Sequence, residues 1–306
     1  MRDTSLLFIF TLLSAGSLAL AQETADSDAV FKSDARLVEL HATVTTADGT
    51  LLTDLPQSAF RIFENDVPQQ IKVFRREDAP VSLGFIVDQS ASMEDKHARV
   101  SAALLTLVRA SNPGDEEFIL DFNETPKLAL DFTQDTHKLE ATLRDIKAAG
   151  QTALRDAVAM GIEHLSRKAK NERKVLVVVT DGQDNSSVTS LERLKRLADQ
   201  SGVLIYAIGL LNDATDREAV RAKKDLDLMT FETGGEVFYP KVLAEVDGIA
   251  THVARDLRNQ YTIAYIPINQ EQDGSFRRIK VEVTSPPGAI VRTRNGYYAT
   301  PHPASE

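Results

Sequence analysis

The chain has 306 residues, of which 42% are hydrophobic and 26% charged, enough for one large globular domain or two of moderate size. Its formal charge of −10 argues against nucleic acid or an anionic membrane surface as a partner, since both need a basic footprint. With no cysteine, disulfides, thiolate catalysis and Cys-ligated zinc or iron–sulfur centres are excluded.

Residues 1–21 begin with Arg2, continue through an apolar run over 6–18, and end at Ala19, Leu20 and Ala21 before the polar Gln22 and Glu23. This three-part pattern predicts a cleaved secretory signal, with cleavage after Ala21. Ser14, Gly16 and Ser17 interrupt the run and no positive charge follows it, unlike a membrane anchor. The expected mature chain is periplasmic or secreted and has no stable membrane span.

Residues 22–79 read as short strands. Val38, Leu40, Ala42 and Val44 alternate, Asp48 and Gly49 turn the chain, and a strand pair over 60–64 and 71–74 is joined across Asn65, Asp66 and Pro68. Over 80–258 the pattern changes. The segments 81–87 and 175–179 are almost continuously apolar, as strands buried on both faces are. Helical periodicity appears at 99–109, 139–148, 153–167, 191–200, 219–231 and 246–257, with further strands at 118–122, 203–208 and 237–239. Such alternation implies right-handed crossovers and a mostly parallel, doubly wound α/β sheet. Residues 128–132 follow their predecessor after a short turn and should pair antiparallel at an edge.

Residues 259–306 return to β type, with strands at 261–266, 278–284 and 290–298 punctuated by Asp273, Gly274 and the Pro286-Pro287-Gly288 break. Neither terminal set of strands is large enough to be stable alone. They are therefore expected to pair with each other as a small β-sandwich, into which the α/β domain is inserted.

Asp88, Ser90 and Ser92 lie directly after the first buried strand, at the carboxyl end where open α/β sheets place ligands. Two further oxygen-bearing loops reach the same edge, one with Thr152 at a helix start and one with Asp181 after the strand 175–179. Two carboxylates and three hydroxyls suit a hard divalent cation such as Mg²⁺ or Mn²⁺, and leave a position for an outside group. Taken singly, Asp88, Ser90 and Thr152 read as helix caps and Asp181-Gly182 as a turn. Asp184, Asn185, Glu94 and Asp95 lie just past Asp181 and Ser92 and could support or rim the metal site, but read first as solvated surface. His97, His137, His164 and His252 show no zinc spacing, and Gly234-Gly235 reads as a helix C-cap.

The set Asp88-x-Ser90-x-Ser92, distant Thr152 and distant Asp181 resembles the metal-ion-dependent adhesion site of von Willebrand factor A domains, also called integrin I-like domains. The flanks, with the Asp-Gly turn, the Pro80 lead-in and the closing Asn295-Gly296-Tyr297-Tyr298, resemble VWFA-related proteins known mainly from acidobacterial genomes. The resemblance implies a Rossmann-like sheet, metal ligation by Ser90, Ser92 and Thr152, and coordinating waters held by Asp88 and Asp181. It also implies a protein partner that completes the shell with an Asp or Glu carboxylate. A cell-envelope scaffold with a stabilising metal is the alternative function. A metal-assisted hydrolase is a third, but GxSxG is absent and the sequence places no general base beside the site.

Overall fold

The computed structural model describes residues 37–76, 78–145, 149–182, 184–211 and 217–300. The signal reading of 1–21 lies outside them. Among the described residues no helix is long and apolar enough to cross a membrane.

The central sheet has the order β10-β9-β8-β5-β6-β7, built from β5 (Val81–Asp88), β6 (Glu116–Phe122), β7 (Pro126–Thr133), β8 (Arg173–Thr180), β9 (Leu204–Gly209) and β10 (Val237–Phe238). All neighbours are parallel except β6 and β7, whose short connection makes β7 an antiparallel edge strand. The near-continuous apolar runs are explained by burial on both sides. Leu83, Phe85 and Val87 of β5 and Val175, Val177 and Val179 of β8 face α1 (His97–Arg109), α2 (Thr136–Asp145) and α6 (Val246–Arg258). Ile86, Leu176 and Val178 face α3 (Leu154–Lys168), α4 (Leu191–Ser201) and α5 (Arg217–Thr233). Gly84 is glycine for a packing reason, because a Cβ there would stand 2.3 Å from the Phe118 ring.

The terminal strands pair across the chain, as expected. One sheet is β13-β1-β11-β4 and the other β14-β12-β2-β3, formed by β1 (Val38–Thr45), β2 (Phe60–Glu64), β3 (Val67–Gln69), β4 (Ile71–Arg75), β11 (Tyr261–Tyr265), β12 (Phe276–Val283), β13 (Ile290–Arg292) and β14 (Gly296–Tyr298). β1 runs antiparallel to β11 and β2 antiparallel to β12, so each sheet needs both ends of the sequence. Val38, Leu40, Phe60, Ile62, Tyr261, Ile263 and Ile279 fill the core between them.

Two strand expectations are corrected. Residues 60–64 do not pair with 71–74. Asn65 and Asp66 both adopt left-handed backbone, at φ 47° and 66°, so the chain turns back at once and β2 pairs with β3, an edge strand that tolerates Pro68. β4 then joins the other sheet beside β11. Residues 290–298 likewise form two strands, β13 against β1 and β14 against β12.

Glu64 is buried inside the sandwich and accepts hydrogen bonds from the hydroxyls of Tyr265 at 2.7 Å and Tyr297 at 2.9 Å. These bonds tie an N-terminal strand to two C-terminal ones. Tyr297→Phe is expected to lower the unfolding free energy by about 1.5–3 kcal/mol, the range for a hydrogen bond to a charged group. A urea titration with unchanged midpoint would show that the contact contributes nothing.

Candidate functional site

Strand register builds the site. Val87 lies opposite Val179 in the parallel β5–β8 pair, so Asp88 and Thr180 emerge side by side at the carboxyl edge. The Thr180 hydroxyl donates to Asp88 Oδ2, and the Ser90 backbone N–H donates to Asp88 Oδ1 at 2.7 Å. Asp88 is fully buried, and burial pushes its carboxyl above the usual range. The Thr180 and Ser90 hydrogen bonds oppose that rise and the neighbouring Asp181 carboxylate adds to it.

The loop then wraps so that the hydroxyls of Ser90 and Ser92 stand 3.1 Å apart, and the Ser92 hydroxyl donates to Asp181 Oδ1 at 2.7 Å. Ser90 is buried while Ser92 is exposed, so the cluster opens to solvent on the Ser92 side. Ligands about 2.0–2.1 Å from an octahedral Mg²⁺ stand roughly 2.9 Å from one another. The 3.1 Å between the two serine hydroxyls is near that value, and Asp181 stands within hydrogen-bond distance of Ser92, where it can hold a coordinating water, so this donor set fits a small hard cation.

Backbone hydrogen bonds fasten the neighbouring loops to this one. Gln89 N–H donates to Phe122 O at 2.6 Å, Ala149 N–H to Gln89 O at 2.6 Å, and Ala153 N–H to Asn123 O at 2.7 Å. Gly150 supplies the bend at φ 87°, and its carbonyl accepts from the Ala91 N–H. Thr152 is buried, and its hydroxyl lies 3.3 Å from where a Cβ on Gly182 would stand, which places it one residue from Asp181.

Side-chain capping does not describe these residues. Ser90 stands at the N-cap of a short 3-10 turn, Ala91–Met93, while α3 starts from Ala153 and α1 from Lys96, in each case without a side-chain cap hydrogen bond. Asp184 is not solvated surface either, and Asn185, though exposed, is hydrogen-bonded to the Thr152 backbone. Asn185 Oδ1 accepts the Thr152 N–H at 3.0 Å, and its own N–H donates to Thr152 O at 3.0 Å. Asp184 is buried, accepts the Arg155 N–H at 2.7 Å and pairs with the Arg155 guanidinium at 3.1 Å. Together they brace the Thr152 loop from behind. Glu94 and Asp95 are exposed, as expected.

Lys96 was not foreseen as a neighbour. Its ammonium pairs with Asp181 Oδ2 and donates to Ser92 O at 3.1 Å, so the one carboxylate faces both Ser92 and a tethered positive charge. His97 is closer than its sequence position suggested. Burial lowers the pKa of its imidazole and the Asp181 charge opposes that, while both ring nitrogens lack a hydrogen-bond partner. It makes no hydrogen bond to the serines or to Asp181 that would mark it as a base.

Residues 83–183 match the family model of the von Willebrand factor type A domain. Cuticlin-6 of Caenorhabditis elegans is 30% identical over 140 residues, 43% of this chain and 24% of the relative. Vitrin of Mus musculus is 30% identical over 149 residues, 46% of this chain and 22% of the relative. The chain thus spans about a quarter of the length of these relatives. Among solved structures, proximal thread matrix protein 1 from the mussel byssus, described with a zinc occupied MIDAS motif, aligns with a TM-score of 0.50 at 19% identity. That alignment covers 63% of this chain and 49% of the mussel protein, and shows a shared fold.

Proposed function

We propose that the von Willebrand factor type A domain in this chain is a binding module that recognises a protein partner through a divalent cation. Asp88, Ser90, Ser92, Thr152 and Asp181 would hold the ion, Mg²⁺ or Mn²⁺. When bound, the cation supplies a positive centre for an Asp or Glu carboxylate of the partner, a charge-assisted contact. The observation that carries this reading is the cluster of Ser90, Ser92 and Asp181 oxygens, spaced at 3.1 and 2.7 Å and open on the Ser92 side.

In this reading residues 80–258 are the recognition domain, and the strands of 22–79 and 259–306 form the base that presents it. The chain would act outside the cytoplasm, consistent with the signal pattern of 1–21. The resemblance of the flanks to acidobacterial VWFA-related proteins belongs to the same reading.

The test is capture from a cell-envelope extract by the immobilised full chain, with Mg²⁺ or with a chelator. Retention of specific proteins only with metal, lost in Ser92→Ala, is the expected result. Retention indifferent to chelator would overturn it. The scaffold alternative predicts instead that Mg²⁺ raises thermal stability with no metal-dependent capture.

A further inference from the structure

We propose that Glu236, His252 and Asp256 form a second metal site, of the imidazole–carboxylate type that takes Zn²⁺, on the side of the α/β domain where α6 meets β10 and β13. The site is independent of the cation cluster around Asp88.

His252 and Asp256 are four residues apart on α6 and share one helix face, while Glu236 approaches from the residue before β10. His252 Nε2 lies 3.2 Å from Glu236 Oε2 and 3.6 Å from Asp256 Oδ1, and the three ligand atoms all lie within 4.8 Å of one another. Zinc bonded at about 2.0–2.1 Å in a tetrahedron sets its ligands roughly 3.3–3.4 Å apart. The two measured separations fall on either side of that spacing, so small side-chain movements bring the donors onto a common centre.

Asp256 supplies an independent reason. It is fully buried, and its Oδ1 has no hydrogen-bond partner although it faces the imidazole. A buried carboxylate oxygen without a partner is costly, and a cation on it removes that cost. The other oxygen, Oδ2, is held by the Arg292 guanidinium and lies 3.5 Å from the Tyr206 hydroxyl. The same guanidinium reaches Glu236 Oε2 at 2.9 Å. Arg292 therefore holds Asp256 from behind, through the oxygen turned away from His252, as the supporting groups of metal sites do, while on Glu236 it shares the oxygen that faces the imidazole.

Arg292 balances only one of the two carboxylates; the hydrogen bond to Glu236 raises the pKa of His252, so a cation competes with a proton there, and once the imidazole is deprotonated the cluster has a net negative charge for the cation to meet. A mixed nitrogen and oxygen donor set favours Zn²⁺ over Mg²⁺. The side chains of Glu236 and His252 are each 32% exposed, which gives an ion entry and leaves a fourth position to water. Phe238 packs edge-on against the imidazole at 5.3 Å and walls the site on one side. An ion here would pin α6 to β10 and, through Arg292, to the sandwich strand β13.

The experiment uses the full chain carrying Asp88→Asn, which removes the first cation cluster from the readout. Titration with Co²⁺ is expected to give the intense visible absorption of a four-coordinate ion, and Zn²⁺ is expected to bleach it by competition. His252→Gln and Asp256→Asn should each weaken that binding by at least about tenfold, in the range for disturbing a metal site. Since Asp256 is buried, the half-exposed His252→Gln carries the test if Asp256→Asn does not fold by circular dichroism. Absence of Co²⁺ and Zn²⁺ binding in the Asp88→Asn chain, or binding undiminished by His252→Gln, would overturn the assignment.

Discussion

Asp88→Asn is expected to abolish Mg²⁺ and Mn²⁺ binding at the cluster of Ser90, Ser92 and Asp181 while stabilising the metal-free protein. Both effects have one cause. Asp88 is 0% exposed, and its carboxylate is met by the hydroxyls of Thr180 and Ser90 and the Ser90 N–H, none of them charged, with Asp181 adding like charge nearby. Lys96 does not compensate, because its ammonium is spent on Asp181 Oδ2. An asparagine of the same shape keeps an acceptor for the Ser90 N–H and turns its amide towards the Thr180 oxygen, without a buried charge. The metal-free variant should gain roughly 1–2 kcal/mol, the usual size of a gain made by relieving a strained functional site. With one carboxylate gone, cation affinity should fall by at least about 100-fold. Calorimetric titration and urea unfolding in chelator measure the two halves separately. Surviving affinity would remove Asp88 from the site, and a less stable variant would mean that its ionised carboxylate is well compensated.

The parts of this site that were legible in the sequence are those whose chemistry is local. Asp88, Ser90 and Ser92 fall within five residues after a strand recognisable from its apolar run, and Asp181 follows a second such strand. Thr180 closes that second strand, and nothing local marks it as a partner of Asp88. Its role comes from the register that sets Val87 opposite Val179. For Asp184 and Asn185 the sequence leaves a supporting role and a solvated surface both open, because a polar pair after a turn carries no mark of which loop it braces.

The same limit governs the sandwich. Alternation in residues 60–64 and 71–74 signals strands but does not say which of two sheets each joins. That depended on Asn65 and Asp66 both taking positive φ and closing a tight hairpin to β3. The trio of Glu236, His252 and Asp256 has no sequence signature either, since only His252 and Asp256 share an element and the third ligand lies 16 residues from the imidazole.

Glu117→Gln should remove a loss of stability at alkaline pH without touching cation binding. Glu117 is the second residue of β6, at the end of the sheet opposite Asp88, and is 3% exposed. Burial pushes its carboxyl from 4.5 to about 7. Ser111 and Arg258 pull it down, while Asp115 and Glu116 push it further up. The folded state therefore binds this proton more tightly than the unfolded chain does. Stability from Glu117 is fully present below pH 4.5 and is lost as the pH rises through about 7. The shift corresponds to about 3 kcal/mol as an upper value. The urea midpoint of the wild type relative to that of Glu117→Gln should thus fall between pH 4.5 and pH 8, with the variant exceeding the wild type at the alkaline end; other buried groups, among them Asp88 and His41, titrate alike in both proteins and cancel in the difference. Arg258 also pairs with the buried Asp115, so it already has a carboxylate partner and offers Glu117 little further compensation. Equal pH slopes in the two proteins would mean that Glu117 ionises in the fold as readily as in the unfolded chain. An accompanying loss of Mg²⁺ affinity would mean that the two ends of the sheet are coupled.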